Sequence, residues 1–220
     1  MCDKVSLLDS SDIHLEESMV LPTNKGLTFR PEPLTPDEVR ALINATSRRA
    51  SSGVRLRALI AVMYGSGLRI SEALALKPKD VSTTGCYIRV LDGKNGDYRT
   101  VGIDPRSCEL LDRWLDRRAE LGLNGRVPIF ATYSKGQHGG SLSPVYVRRT
   151  LANLGKKANI EKRVHPHGLR HSLAFDLAQR GVPTHAIQAQ LGHASLAVTD
   201  RYVRHLMPAD VIDVMRARTW

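Results

Sequence analysis

The chain has 220 residues, 42% hydrophobic and 5% aromatic, which is enough for one sizeable core and short for two full domains. No apolar run could span a bilayer, the first twenty residues carry Asp3, Asp9, Asp12, Glu16 and Glu17 instead of a secretory pattern, and Cys2, Cys86 and Cys108 lie far apart, which argues against a membrane protein, an exported one, and a disulfide or Cys-zinc scaffold. The 32 Lys plus Arg outnumber the 22 acids for a formal net charge of +10, and an arginine-rich excess points to a polyanion, nucleic acid foremost, met in the cytoplasm.

In chain order, residues 1–33 show no period and end in TFRPEPL, where Pro31 and Pro33 mark an extended connector. They read as a leader or linker. Order begins at LTPDEVRAL: Thr35 suits an N-cap, Pro36 the first helical position, and Asp37 and Glu38 the positive end of the helix dipole. A second helix is expected from about Arg55 to Tyr64, stopping at Gly65-Ser66-Gly67, and a third carries Arg69, Glu72, Leu74 and Leu76 up to Pro78. CYIRVLDGKNGDYRTVGI has two β-prone arms around a Gly/Asn/Asp turn that holds Lys94. Next come an amphipathic helix from Pro105 to about Leu121, a Gly-rich loop, and a helix opening at Pro144 under a Ser143 cap. Short helices are expected over about Gly168–Arg180, Pro183–Leu191 and Ser195–His205, with one more amphipathic helix in Pro208–Trp220. The fold class is therefore mainly α with a small antiparallel β-sheet, α+β. The bases also cluster, as in Arg48, Arg49, Arg55 and Arg57, in Arg113, Arg117 and Arg118, and in Arg148, Arg149, Lys156 and Lys157, and such clusters suit phosphate contacts.

HPHGLRH, residues 165–171, is the densest stretch of chemistry. It admits a metal site, a solvated basic turn or an anion clamp. His167 and His171 have the helical spacing of a zinc pair, but Gly168 stands where a zinc hydrolase would need its glutamate base. His167 and Arg170 share a face near a helix start, where the dipole, a guanidinium fork and an imidazole would together favour a phosphate. Downstream, LGHASLAVTDRYVRHL sets His193 in a turn and Tyr202 among Arg201, Arg204 and His205. A tyrosine hydroxyl needs such help to act as a nucleophile.

Taken in order, GSGLRISEALAL, the lysine hairpin DGKNG, HPHGLRH and LGHASLAVTDRYVRH resemble the tyrosine recombinase, or phage integrase, family over about residues 34–207. The resemblance implies that family's catalytic-domain fold and a site-specific DNA recombinase that cleaves and rejoins duplex DNA through a 3′-phosphotyrosyl intermediate. It implies Tyr202 as nucleophile, Arg69 and Arg170 as phosphate-binding arginines, Lys94 as general acid, His167 as general base and His193 as a further donor to the phosphate. Glu72 is then the acid that supports the Arg69 helix, and His171 a structural partner. No metal and no other cofactor is implied. The implied partners are double-stranded DNA and a homotetramer on it, with room for accessory DNA-bending proteins and no membrane.

Residues 1–33 are too few for the separate core-binding domain of most family members, so that domain is expected to be absent, and residues 208–220 are expected to form a tail suited to docking on a neighbouring protomer. Two neighbouring functions stay open at this point: relaxation of DNA in the manner of a type IB topoisomerase, and a DNA-binding regulator that keeps the fold without cutting.

Overall fold

The computed structural model describes residues 32–91 and 98–192. Lys94, His193, Tyr202, the helix expected over 195–205 and the 208–220 tail lie outside the described residues.

Among the described residues, seven α-helices and three strands follow one another: α1 (Pro36–Asn44), α2 (Ser51–Ser66), α3 (Ile70–Ala75), β1 (Val81–Ser82), β2 (Tyr87–Leu91), β3 (Tyr98–Gly102), α4 (Pro105–Glu120), α5 (Pro144–Lys157), α6 (Pro166–Gln179) and α7 (Thr184–Leu191). The mainly helical α+β class is thus observed. The caps explain several starts. At α1 the Thr35 hydroxyl accepts from the Glu38 amide at 3.2 Å while the Glu38 carboxylate accepts from the Thr35 amide at 2.7 Å, a reciprocal box. Asp104 caps α4 through the Ser107 amide, and Ser143 caps α5 through the Val145 amide.

α2 is the central helix of the described residues. It starts four residues earlier than the sequence pattern suggests, at Ser51, and is buried on nearly every side from Val54 to Met63. A helix apolar all round must be a core helix, and α1, α3, α4, α6 and β3 pack around it. Trp114 of α4 is fully buried, and its indole donates to the Ile129 carbonyl at 2.9 Å.

The sheet is antiparallel in the order β1-β2-β3. Leu91 pairs with Tyr98 and Tyr87 with Gly102, so the two arms of the expected hairpin are in register. The short β1, paired to β2 through Val81 and Ser82, has no counterpart among the sequence expectations, because two residues carry no period. The turn between β1 and β2 brings Cys86 against Cys108 of α4, with the sulfurs 3.6 Å apart and both thiols free. Burial, and then the Cys86 neighbour, pushes the Cys108 thiol up to about 12.

Three clustered arginines turn out to be internal struts. Arg55, Arg57 and Arg118 are 7%, 7% and 4% exposed. Arg55 donates to the Ala131 carbonyl at 2.7 Å and lies 4.9 Å over the Tyr133 ring. Arg57 holds the end of α1 through Ile43, Asn44 and Thr46, and Arg118 ties down the Leu123, Asn124 and Val127 carbonyls. A guanidinium has five donors in a rigid fork, so it can satisfy several loop carbonyls at once where the loop backbone has no ladder to join.

Candidate active site

Three helix ends meet at the site: the end of α2, the start of α3 and the start of α6. α2 stops at Gly67, whose φ of +71° is left-handed. A Cβ there would fall 2.5 Å from Leu191 Cδ2 and 2.9 Å from Leu173 Cδ2, so both the backbone and the packing require glycine. The turn leaves the Gly67 carbonyl pointing at α6, where Arg170 Nη1 donates to it at 2.7 Å. Arg170 is only 2% exposed, so its fork is fixed from below.

Arg69 is the N-cap of α3. Its backbone amide donates to Glu72 Oε2 at 2.8 Å, its Nη1 to Glu72 Oε1 at 2.8 Å, and its Nη2 to the Gly192 carbonyl at 3.2 Å. The Arg69 side chain stays 46% exposed, against 13% for Glu72. Burial alone would raise the Glu72 pKa. The hydrogen bonds from Arg69, and the Arg99 cation beside it, outweigh burial and hold the carboxyl below its ordinary value.

α6 opens on His165-Pro166. The His165 ring caps it, Nδ1 accepting from the Gly168 amide at 3.1 Å, which places the ring proton on Nε2 when the ring is neutral. His167 follows on the first turn as an exposed residue, its ring centroid 3.9 Å, edge to face, from that of His171. Partial burial, then the Arg170 and Arg69 cations, lower its pKa. Both cations therefore disfavour the protonated form of the same imidazole. Among the described residues no group of three His, Cys, Asp or Glu side chains is arranged to hold a metal ion, so the His167–His171 pair gains no third ligand there.

The structure thus brings Arg69, His167 and Arg170 together, with Glu72 behind Arg69. Lys94, His193 and Tyr202 are outside the described residues, although β2 and β3 flank the segment that holds Lys94, and α7 ends one residue before His193 at Gly192. Sequence reasoning missed Gln190 and Arg99. Gln190 clamps α7 to β3 and α2, donating to the Ser66 and Gly102 carbonyls at 3.0 and 2.7 Å and accepting from the Gly102 amide. Arg99 reaches Glu72 from β3. Its one legible signal was strand alternation, which puts Arg99 on the same side as the buried Val101.

The family model described as "Phage integrase family" matches residues 32–208. The chain belongs to the phage integrase family. It is 35% identical over 207 residues to a tyrosine recombinase XerC of Myxococcus xanthus, covering 90% of this chain and 64% of the relative. To a tyrosine recombinase XerA of Pyrococcus furiosus it is 36% identical over 189 residues, covering 86% and 63%. The chain therefore spans less than two thirds of the length of these curated relatives. Among solved structures, the fold matches a XerA recombinase with a TM-score of 0.72 at 31% identity, over 91% of this chain and 70% of that one. It also matches a XerH site-specific recombinase bound to palindromic difH substrate in a post-cleavage complex, with a TM-score of 0.69 at 29% identity, over 84% and 52%. No described helix is long and apolar enough to cross a membrane.

Proposed function

We propose that residues 34–207 are the catalytic domain of a site-specific DNA recombinase that cuts and rejoins duplex DNA through Tyr202. The observation that carries this reading is that one turn serves both arginines: the Gly67 carbonyl anchors Arg170, and Arg69, two residues on, starts α3 with Glu72 holding its guanidinium.

The chemistry follows from what such a group can do to a phosphodiester. The Tyr202 oxygen attacks the scissile phosphorus, a tyrosyl–phosphorus bond forms, and the bond to the 5′-oxygen breaks. Arg69 and Arg170 take the non-bridging oxygens, where charge accumulates in the pentacoordinate transition state, and His193 adds a donor. Neutral His167 accepts the tyrosine proton, and Lys94 gives a proton to the leaving 5′-oxygen. Rejoining is the reverse, with a 5′-hydroxyl attacking the 3′-phosphotyrosyl ester. The ester keeps the energy of the broken bond, so the scheme calls for no metal or nucleotide. Duplex DNA is the proposed substrate, and the similar XerH site-specific recombinase is bound to a palindromic difH substrate in a post-cleavage complex. A homotetramer on DNA is the proposed assembly, with residues 208–220 docking on a neighbouring protomer.

Covalent trapping tests the reading. The full chain is mixed with nicked duplexes from its own coding region and flanks, with chelator present, then denatured. Wild type should remain attached to a DNA 3′ end and Tyr202→Phe should not. An adduct that survives in Tyr202→Phe, or forms only when divalent metal is supplied, would overturn the assignment.

A further inference from the structure

Arg99 stands on β3, where its Nη2 is 3.0 Å from Glu72 Oε1 and its side chain is 18% exposed. The same Glu72 oxygen accepts from Arg69 Nη1, and the other Glu72 oxygen accepts from the Arg69 amide. The second Arg69 nitrogen donates to the Gly192 carbonyl. Arg99 also lies across Gly192 itself: a Cβ at that position would fall 2.5 Å from Arg99 Nε and 2.7 Å from Cζ. Gly192 has a φ of +65° and caps α7. Glu72 thus joins Arg69 and Arg99 through its carboxylate, and Arg99 packs on Gly192, whose carbonyl accepts from Arg69, so the four residues from α3, β3 and the end of α7 form one cluster.

The cluster answers a physical difficulty. Arg69 is half-exposed, and an ion pair three residues along the chain does little to hold a long side chain still in water. Glu72 could hold it only if the carboxylate were itself immobile and ionised while mostly buried. A second, less exposed guanidinium on the same oxygen supplies both conditions, since it offsets the desolvation of the carboxylate and fixes its rotamer. Lysine would supply the charge, but it has no planar group to lie along Gly192.

We infer that Arg99 is a positioning residue for strand cleavage: it fixes Glu72, through Glu72 it aims the Arg69 guanidinium, and through Gly192 it ties that aim to the end of α7, one residue before His193. The inference rests on the reading of Arg69 as a phosphate-binding arginine. Arg99 touches no reacting atom in this scheme. Its effect passes through Arg69, so its loss should resemble a weakened Arg69 and not a weakened fold.

The test needs no DNA target. His167 reports where Arg69 sits, because Arg69 is among the cations that lower its pKa, and Arg99→Lys controls for the charge of Arg99 itself. Proton NMR titration of the His167 ring, assigned by the resonance lost in His167→Gln, is compared in the full-length wild type, Arg69→Ala and Arg99→Gln, each with a thermal melt. Arg69→Ala should move the His167 midpoint upward. Arg99→Gln should move it upward too, with a folded melting curve, and where adducts are trapped it should slow their formation by up to about 100-fold. Arg99→Lys, which keeps the charge, should lie between wild type and Arg99→Gln, and it carries the comparison if Arg99→Gln does not fold. A His167 midpoint unmoved by Arg99→Gln, or by Arg99→Lys when that variant carries the comparison, but moved by Arg69→Ala would overturn the role of Arg99 alone. A midpoint unmoved by Arg69→Ala would overturn the underlying placement of Arg69 beside His167.

Discussion

His167 shows how little separates a structural histidine from a proton acceptor. Its ring is partly desolvated and faces two guanidinium groups, so the charged form is disfavoured and the pKa is lowered. A base works in its neutral form. Cleavage should therefore fall on the acid side only as pH drops through this lowered midpoint, below the roughly 6.5 of an ordinary histidine. The second-order rate of adduct formation at subsaturating DNA, which reports the free protein, should show that limb in wild type and lose it in His167→Gln, whose rate should be low throughout. A wild-type limb above the ordinary histidine value would mean that His167 is not the base. Arg170 is a different kind of residue. At 2% exposure, with Nη1 committed to the Gly67 carbonyl, its position is set before any phosphate arrives, which is the condition for charge stabilisation without reorganisation in the transition state.

At the scale of elements, the site depends on how α2 ends. Gly67 permits the left-handed turn, and its carbonyl holds Arg170. Gly67→Ala should cost about 1–2 kcal/mol for the backbone, with more from the clash with Leu191 and Leu173. Chemical denaturation should show that loss, and adduct formation under fully folded conditions should fall as well, because Arg170 loses its anchor. Unchanged cleavage in a destabilised Gly67→Ala would separate the turn from the chemistry. Much of this layer was legible in sequence. Thr35-Pro36, Ser143-Pro144 and the Gly65-Ser66-Gly67 stop follow local capping and steric rules, and the arms of the hairpin follow period-two alternation. The start of α2 was not legible, because Ser51 and Ser52 are polar and the helix is buried all round, which leaves no amphipathic edge to read. Nor was the meeting of Arg99 with Glu72, or of Cys86 with Cys108. Both are contacts between elements, and one sequence carries no record of which faces touch.

For the whole molecule, the +10 formal charge overstates what a polyanion can meet. Arg55, Arg57 and Arg118 are spent inside the fold, while Arg148 and Arg149 are exposed on α5. If α5 contacts DNA phosphates, Arg148→Ala and Arg149→Ala should each lower the slope of log K against log salt by about 1. Arg118→Ala should leave that slope alone and lower the melting temperature, since it strips the Leu123, Asn124 and Val127 carbonyls of their donor. A reduced slope in Arg118→Ala would contradict this division of the arginines. The central claim, that Arg69 and Arg170 act by meeting charge on the scissile phosphate, has a more direct test. Adduct formation is measured on a nicked duplex whose scissile group is either the ordinary anionic phosphodiester or a neutral methylphosphonate, with wild type, Arg69→Ala and Arg170→Ala. On the phosphodiester each variant should be slower by roughly 100- to 1,000-fold, the usual cost of one such donor, and on the methylphosphonate most of that deficit should disappear. An equal deficit on both substrates would mean that the arginines do something other than neutralise the phosphate.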